Sequence, residues 1–161
     1  RSNIKRAALQ LQDSLHQIRN FSGNTDDVSN KEPVAATPPV FKTKSILLVE
    51  DREMVLHTIS TMLQREHHQV ESVIDGFAAL DMIRENPDKY DLLITDYNMP
   101  NISGKDLLTE IRQDFKDMPV IIMSGDAQFL DDLKKDPNNK NIFVLAKPII
   151  ADHLKKIIQS L

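Results

Sequence analysis

From Ser45 onward the chain alternates short unbroken apolar runs with longer stretches whose apolar residues recur every three or four positions. Strand side chains alternate between two faces, whereas a helix brings every third or fourth side chain back to one face. The runs Ser45–Val49, Val70–Val73, Leu92–Thr95, Val120–Met123 and Phe143–Ala146 therefore predict strands. The stretches Met54–Glu66, Phe77–Glu85, Gly104–Gln113, Ala127–Lys135 and Ile149–Leu161 predict helices. Their inward stripes include Val55, Ile59, Met62 and Leu63 in the first, and Phe77, Leu80 and Ile83 in the second. Leu107, Leu108 and Ile111 do the same in the third, and the last has Ile150, Leu154, Ile157, Ile158 and Leu161 as its apolar positions. Asp75-Gly76 and Asn86-Pro87 are breaks between elements.

Strands that are apolar throughout imply a parallel sheet covered by helices on both faces. Five such units over residues 43–161 predict an α/β domain. Its expected form is a flavodoxin-like, doubly wound five-stranded parallel sheet of order 2-1-3-4-5. In such sheets the ligand sits beyond the carboxyl ends of the strands.

The first 42 residues follow other rules. Ile4, Ala8, Leu11, Leu15 and Ile18 form one helical stripe, which predicts an amphipathic helix over 2–20 within a segment of residues 1–21. Two heptads fall short of a sustained coiled coil, so we expect this helix to pack on its own chain, a neighbouring domain or a second copy. Residues 22–42 lack periodicity and end in a Pro-rich stretch, which predicts a flexible linker.

Charge and composition narrow the class. The chain carries 20 Lys+Arg against 24 Asp+Glu, a formal net charge of −4. That speaks against nucleic-acid binding through a basic surface. There is no cysteine, so disulfides and thiolate-ligated zinc are excluded, and a reducing, cytoplasmic setting is expected. No apolar run is long enough to span a bilayer, so no membrane segment is expected. Arg1 in first place leads us to expect a piece of a longer protein.

The predicted strand ends carry Glu50-Asp51, Asp96, Ser124 and Lys147. Three carboxylates brought together resist joint ionisation. A divalent cation removes that conflict, and oxygen-only ligands suit Mg²⁺. A carboxylate held there can act as a nucleophile and form an aspartyl phosphate. Phosphoryl transfer further needs positive charge and donors, which Lys147 and Ser124 supply.

Here the chain resembles the response-regulator receiver family of two-component phosphorelays. The resemblance rests on Leu47-Leu48-Val49-Glu50-Asp51, Ile94-Thr95-Asp96-Tyr97-Asn98-Met99-Pro100, Gly104, Met123-Ser124-Gly125 and Lys147-Pro148. It implies that Asp96 is the phosphoacceptor. It implies Mg²⁺ ligated by Asp51 and Asp96, with Glu50 acting through water and the Asn98 carbonyl as a further ligand. It implies that Lys147 and Ser124 stabilise the phosphoryl group, that Ser124 acts in the switch, and that Lys147–Pro148 is a cis peptide aiming the lysine inward. The implied partner is a histidine kinase or histidine phosphotransfer protein.

The sequence departs from the family pattern in two places. Glu50 replaces the commoner Asp, which keeps the charge. Val144 stands at the switch position where receivers usually carry Tyr or Phe, and Phe143 points to the opposite face. Receivers of hybrid histidine kinases often lack that ring, and such a parent fits this departure.

Two alternatives are an inactive receiver-fold binding module and a haloacid-dehalogenase-like phosphatase. The latter expects a second Asp where Asn98 stands. Leu15-His16-Gln17 only faintly resembles a kinase phospho-accepting box, and His16 reads as a surface residue. His67 and His68 read as solvent-side residues at a helix end, without a third ligand for a metal.

Overall fold

Central strands are apolar on both faces because helices cover both. The computed structural model describes residues 42–135 and 139–161. The helix expected over 2–20 and the linker expected over 22–42, save its last residue, lie outside the described residues.

The chain runs β1 (Ser45–Val49), α1 (Glu53–Arg65), β2 (Gln69–Val73), α2 (Gly76–Glu85), β3 (Leu92–Asp96) and α3 (Gly104–Asp114). It continues with β4 (Val120–Ser124), α4 (Ala127–Lys135), β5 (Ile142–Ala146) and α5 (Ala151–Gln159). Every strand pair is parallel and the sheet order is β2-β1-β3-β4-β5. The expected flavodoxin-like topology is therefore present.

Strand alternation divides the core in two. Leu47, Val49, Leu93 and Ile122 face α2 and α3, where Leu80, Ile83, Leu107 and Ile111 meet them. Ile46, Leu48, Ile94 and Met123 face α1 and α5, where Ile59, Leu63, Leu154 and Ile158 meet them. The edge strands are less covered, and β2 carries Gln69, Glu71 and Ser72 within its five residues.

Some element ends differ from the apolar pattern. Strands β3 and β4 each run one residue further than expected and take in Asp96 and Ser124. Ladder hydrogen bonds belong to the backbone, so a polar side chain does not end a strand that still has a neighbour.

Phe77 is corrected from inward to 53% exposed. Asp75 caps α2 by accepting from the backbone N–H groups of Phe77 at 2.7 Å and Ala78 at 3.3 Å. That phase turns Gly76, Ala79, Leu80 and Ile83 to the core instead. Ile150, one of the apolar positions of the last predicted helix, is 51% exposed, because it is the N-cap of α5 and not part of its buried face.

Candidate functional site

Strand register brings the polar strand ends together. Val49 lies beside Thr95, Asp96 beside Met123, and Ser124 beside Ala146. Ladder bonds continue past the strands. Glu50 N–H donates to Val73 O at 3.2 Å, Tyr97 N–H to Met123 O at 2.9 Å, and Lys147 N–H to Ser124 O at 2.8 Å. Glu50, Asp51, Asp96, Ser124 and Lys147 thus share one edge of one sheet.

This edge is both buried and charged. Glu50 and Ser124 are fully buried and Asp96 is 4% exposed. Lys147 Nζ lies 2.8 Å from Glu50 Oε2 and 2.9 Å from Asp96 Oδ1, so one ammonium bridges two buried carboxylates. On its other oxygen, Glu50 accepts from Arg52 Nε at 3.2 Å. Burial pushes the Glu50 carboxyl up, but the hydrogen bond and charge of Lys147 and the hydrogen bonds of Arg52 outweigh it. The net effect holds Glu50 below its ordinary 4.5.

Glu50, Asp51 and Asp96 each place one carboxylate oxygen within 4.8 Å of the others. Oxygens on one octahedral Mg²⁺ at ~2.1 Å lie about 3–4 Å apart, so small side-chain adjustments bring this set into range. Among the described residues this is the one acidic or histidine group so arranged. Its donors are oxygens only, which suits a hard cation.

Neighbouring groups hold this edge in shape. Asn98 is exposed in the loop after β3. Gly104 N–H closes that loop by donating to Tyr97 O at 2.9 Å. A side chain at Gly104 has no room, since a Cβ there would come 2.5 Å from Asp96 O and 2.9 Å from Tyr97 Cα. Ser124 Oγ accepts from Asp126 N–H at 3.0 Å. The Lys147–Pro148 peptide is cis. Val144 is half-buried and pairs with Ile122, while Phe143 packs in the opposite core layer.

The family model described as the response regulator receiver domain matches residues 46–159. The chain belongs to this family.

Among the receiver's relatives, two-component response regulator ARR10 of Arabidopsis thaliana is 33% identical over 116 residues, covering 71% of this chain and 20% of the relative. The 3',5'-cyclic-nucleotide phosphodiesterase regA of Dictyostelium discoideum is 34% identical over 120 residues, covering 71% of this chain and 15% of the relative. The match thus spans a fifth or less of either relative's length. A similar solved structure is the receiver domain of sensor histidine kinase PA1611 from Pseudomonas aeruginosa, which has a magnesium ion coordinated in its active-site cleft. It is 28% identical, with a TM-score of 0.63 over 74% of this chain and 97% of that one. The receiver domain of the hybrid histidine kinase CckA is 30% identical, with a TM-score of 0.60 over 72% of this chain and 96% of that one.

Three features of this receiver were not foreseen from sequence. Arg52 completes the partners of Glu50, and a cation in an aperiodic loop gives no signal of its direction. Asn101 Nδ2 donates to Asp75 Oδ2 at 2.8 Å and ties the β3–α3 loop to the start of α2. The rings of Tyr97 and Phe129 stack with centroids 3.7 Å apart and planes 26° from parallel. His67 and His68 lie before β2, away from the acidic edge. His16 is outside the described residues. His68, expected at the solvent side, is half-buried before β2, where its Nδ1 accepts from Lys44 N–H at 3.2 Å.

Proposed function

We propose that Asp96 of this receiver accepts a phosphoryl group from a phosphohistidine on a histidine kinase or histidine phosphotransfer protein, with Mg²⁺ held at Glu50, Asp51 and Asp96. The observation that carries this reading is the Lys147 ammonium set between the buried carboxylates of Glu50 and Asp96. Asp51 and Asp96 would hold the ion directly, Glu50 would act through water, and the Asn98 carbonyl would add a further oxygen. When bound, the cation supplies positive charge for the phosphoryl oxygens.

The chain's own residues account for the rest. A carboxylate oxygen of Asp96 forms the O–P bond as the P–N bond to the donor imidazole breaks. The imidazole nitrogen keeps the electron pair and takes a proton from solvent. Lys147 exchanges its contact with Asp96 for the incoming phosphoryl oxygens. Ser124 turns its hydroxyl toward another of those oxygens. Water later attacks the acyl phosphate, releasing inorganic phosphate and restoring the carboxylate.

The surroundings favour a protein as donor. Met54, Ile74, Phe77 and Ile150 are the exposed large hydrophobic residues among those described. All four lie just beyond the carboxyl ends of β1, β2 and β5, on the rim of the acidic edge. An open groove of about 560 Å³ lined by Val55, Met62, Pro148 and Ile149 runs up to Lys147 and Arg52. Apolar rims of this kind suit a macromolecular partner more than a small phosphodonor. No described helix is long and apolar enough to cross a membrane. We place the receiver on the cytoplasmic side, within a larger signalling protein such as a hybrid histidine kinase.

Incubation with a phosphorylated histidine phosphotransfer protein tests the reading. Label should move to the receiver, and should fail to move with EDTA or in Asp96→Asn. Transfer that persists in Asp96→Asn contradicts it.

A further inference from the structure

Strand β5 offers no ring beside Ser124, because Val144 stands on that side of the sheet and Phe143 on the other. An aromatic residue follows the strand on the other side of β4. Tyr97 follows β3, the other neighbour of β4, and packs with the core layer of α2 and α3. Its backbone is pinned on both sides, by the bond from its N–H to Met123 O and the bond to its carbonyl from Gly104 N–H. Tyr97 is therefore a platform whose backbone is held one residue from Asp96.

The ring stacked on that platform belongs to a helix wired to Ser124. Ser124 Oγ accepts from Asp126 N–H at 3.0 Å. Asp126 Oδ1 in turn accepts from Phe129 N–H at 3.1 Å, and Asp126 O accepts from Leu130 N–H at 3.2 Å. Asp126 thus caps the first turn of α4 while tied to the Ser124 hydroxyl, and Phe129 in that turn lays its ring on Tyr97. Of α4, Leu130 is buried and Phe129 and Leu133 are half-buried against the core, while the rest of the helix is exposed.

We propose that the Tyr97–Phe129 stack is the conformational reporter of this receiver, formed when Asp96 is free and parted when it is phosphorylated. The inference rests on the reading of Asp96 as phosphoacceptor. Turning the Ser124 hydroxyl toward a phosphoryl oxygen draws it from Asp126 N–H. The capped turn of α4 follows, and Phe129 leaves the Tyr97 ring. Tyr97 and Phe129 are positioning residues in this scheme, since neither touches the reacting atoms. A contact made in one state only biases the equilibrium between the two.

The test is NMR of the Tyr97 ring protons in the full chain, assigned by their loss in Tyr97→Phe, with and without Mg²⁺ and beryllofluoride. Fluorine NMR of the bound fluorides reports occupancy independently. The stacked ring shields Tyr97, so saturation should move its resonances downfield. Phe129→Leu should show the downfield position in both states and bind beryllofluoride about two- to tenfold more tightly, because a stack of this kind no longer opposes the bound form. Tyr97→Phe keeps a ring and should bind as the wild type does. Bound beryllofluoride with unmoved Tyr97 resonances overturns the inference and leaves the phosphoacceptor reading standing. Absence of bound fluoride at saturating Mg²⁺ overturns both. A Phe129→Leu affinity equal to wild type overturns the coupling.

Discussion

At the scale of single residues, Lys147 decides the character of the site, because Glu50 is buried among partners that keep it ionised. Its folded value is lowered, so its ionised form stabilises the fold above its unfolded value near 4.5. That contribution is lost as pH falls through the lower folded value. Urea midpoints of wild type and Glu50→Gln should therefore converge or cross as pH drops below 4.5, the wild type losing more. A constant difference across that window contradicts the assignment. Gly104 makes a second residue-level case. Gly104→Ala puts a methyl against the backbone of Asp96 and Tyr97, which cannot swing aside as a side chain would. We expect a loss of about 1–3 kcal/mol in urea denaturation and slower phosphoryl loading of Asp96.

At the scale of elements, the caps Asp75, Ser103 and Asp126 fix where α2, α3 and α4 start and so which of their residues reach the core. Ser103 accepts from Asp106 N–H at 3.1 Å and donates to Asp106 Oδ2 at 2.7 Å, closing the first turn of α3 beside the acceptor loop. Ser103→Ala should cost about 1 kcal/mol by chemical denaturation. The strands and helices themselves were legible because apolar spacing reports burial directly. Phe77 was misjudged because spacing alone does not reveal where Asp75 starts the helix. Asp96 and Ser124 were legible as strand-end residues because topology dictates which edge receives them. Arg52 and the Tyr97–Phe129 stack were not, since both depend on loop directions that no period encodes.

At the scale of the whole molecule, the parallel sheet gathers groups 97 positions apart in the chain, Glu50 and Lys147, into one ion pair. The same edge carries the exposed apolar rim. Met54→Ser with Phe77→Ser should slow phosphorylation by a phosphohistidine protein several-fold and leave phosphorylation by acetyl phosphate unchanged. Equal slowing with both donors points to damage at the acidic edge instead. Intact mass after incubation with acetyl phosphate and Mg²⁺ tests whether Asp96 takes the phosphoryl group. We expect a gain of one phosphoryl group that disappears with EDTA and in Asp96→Asn. A gain that survives in Asp96→Asn would contradict it.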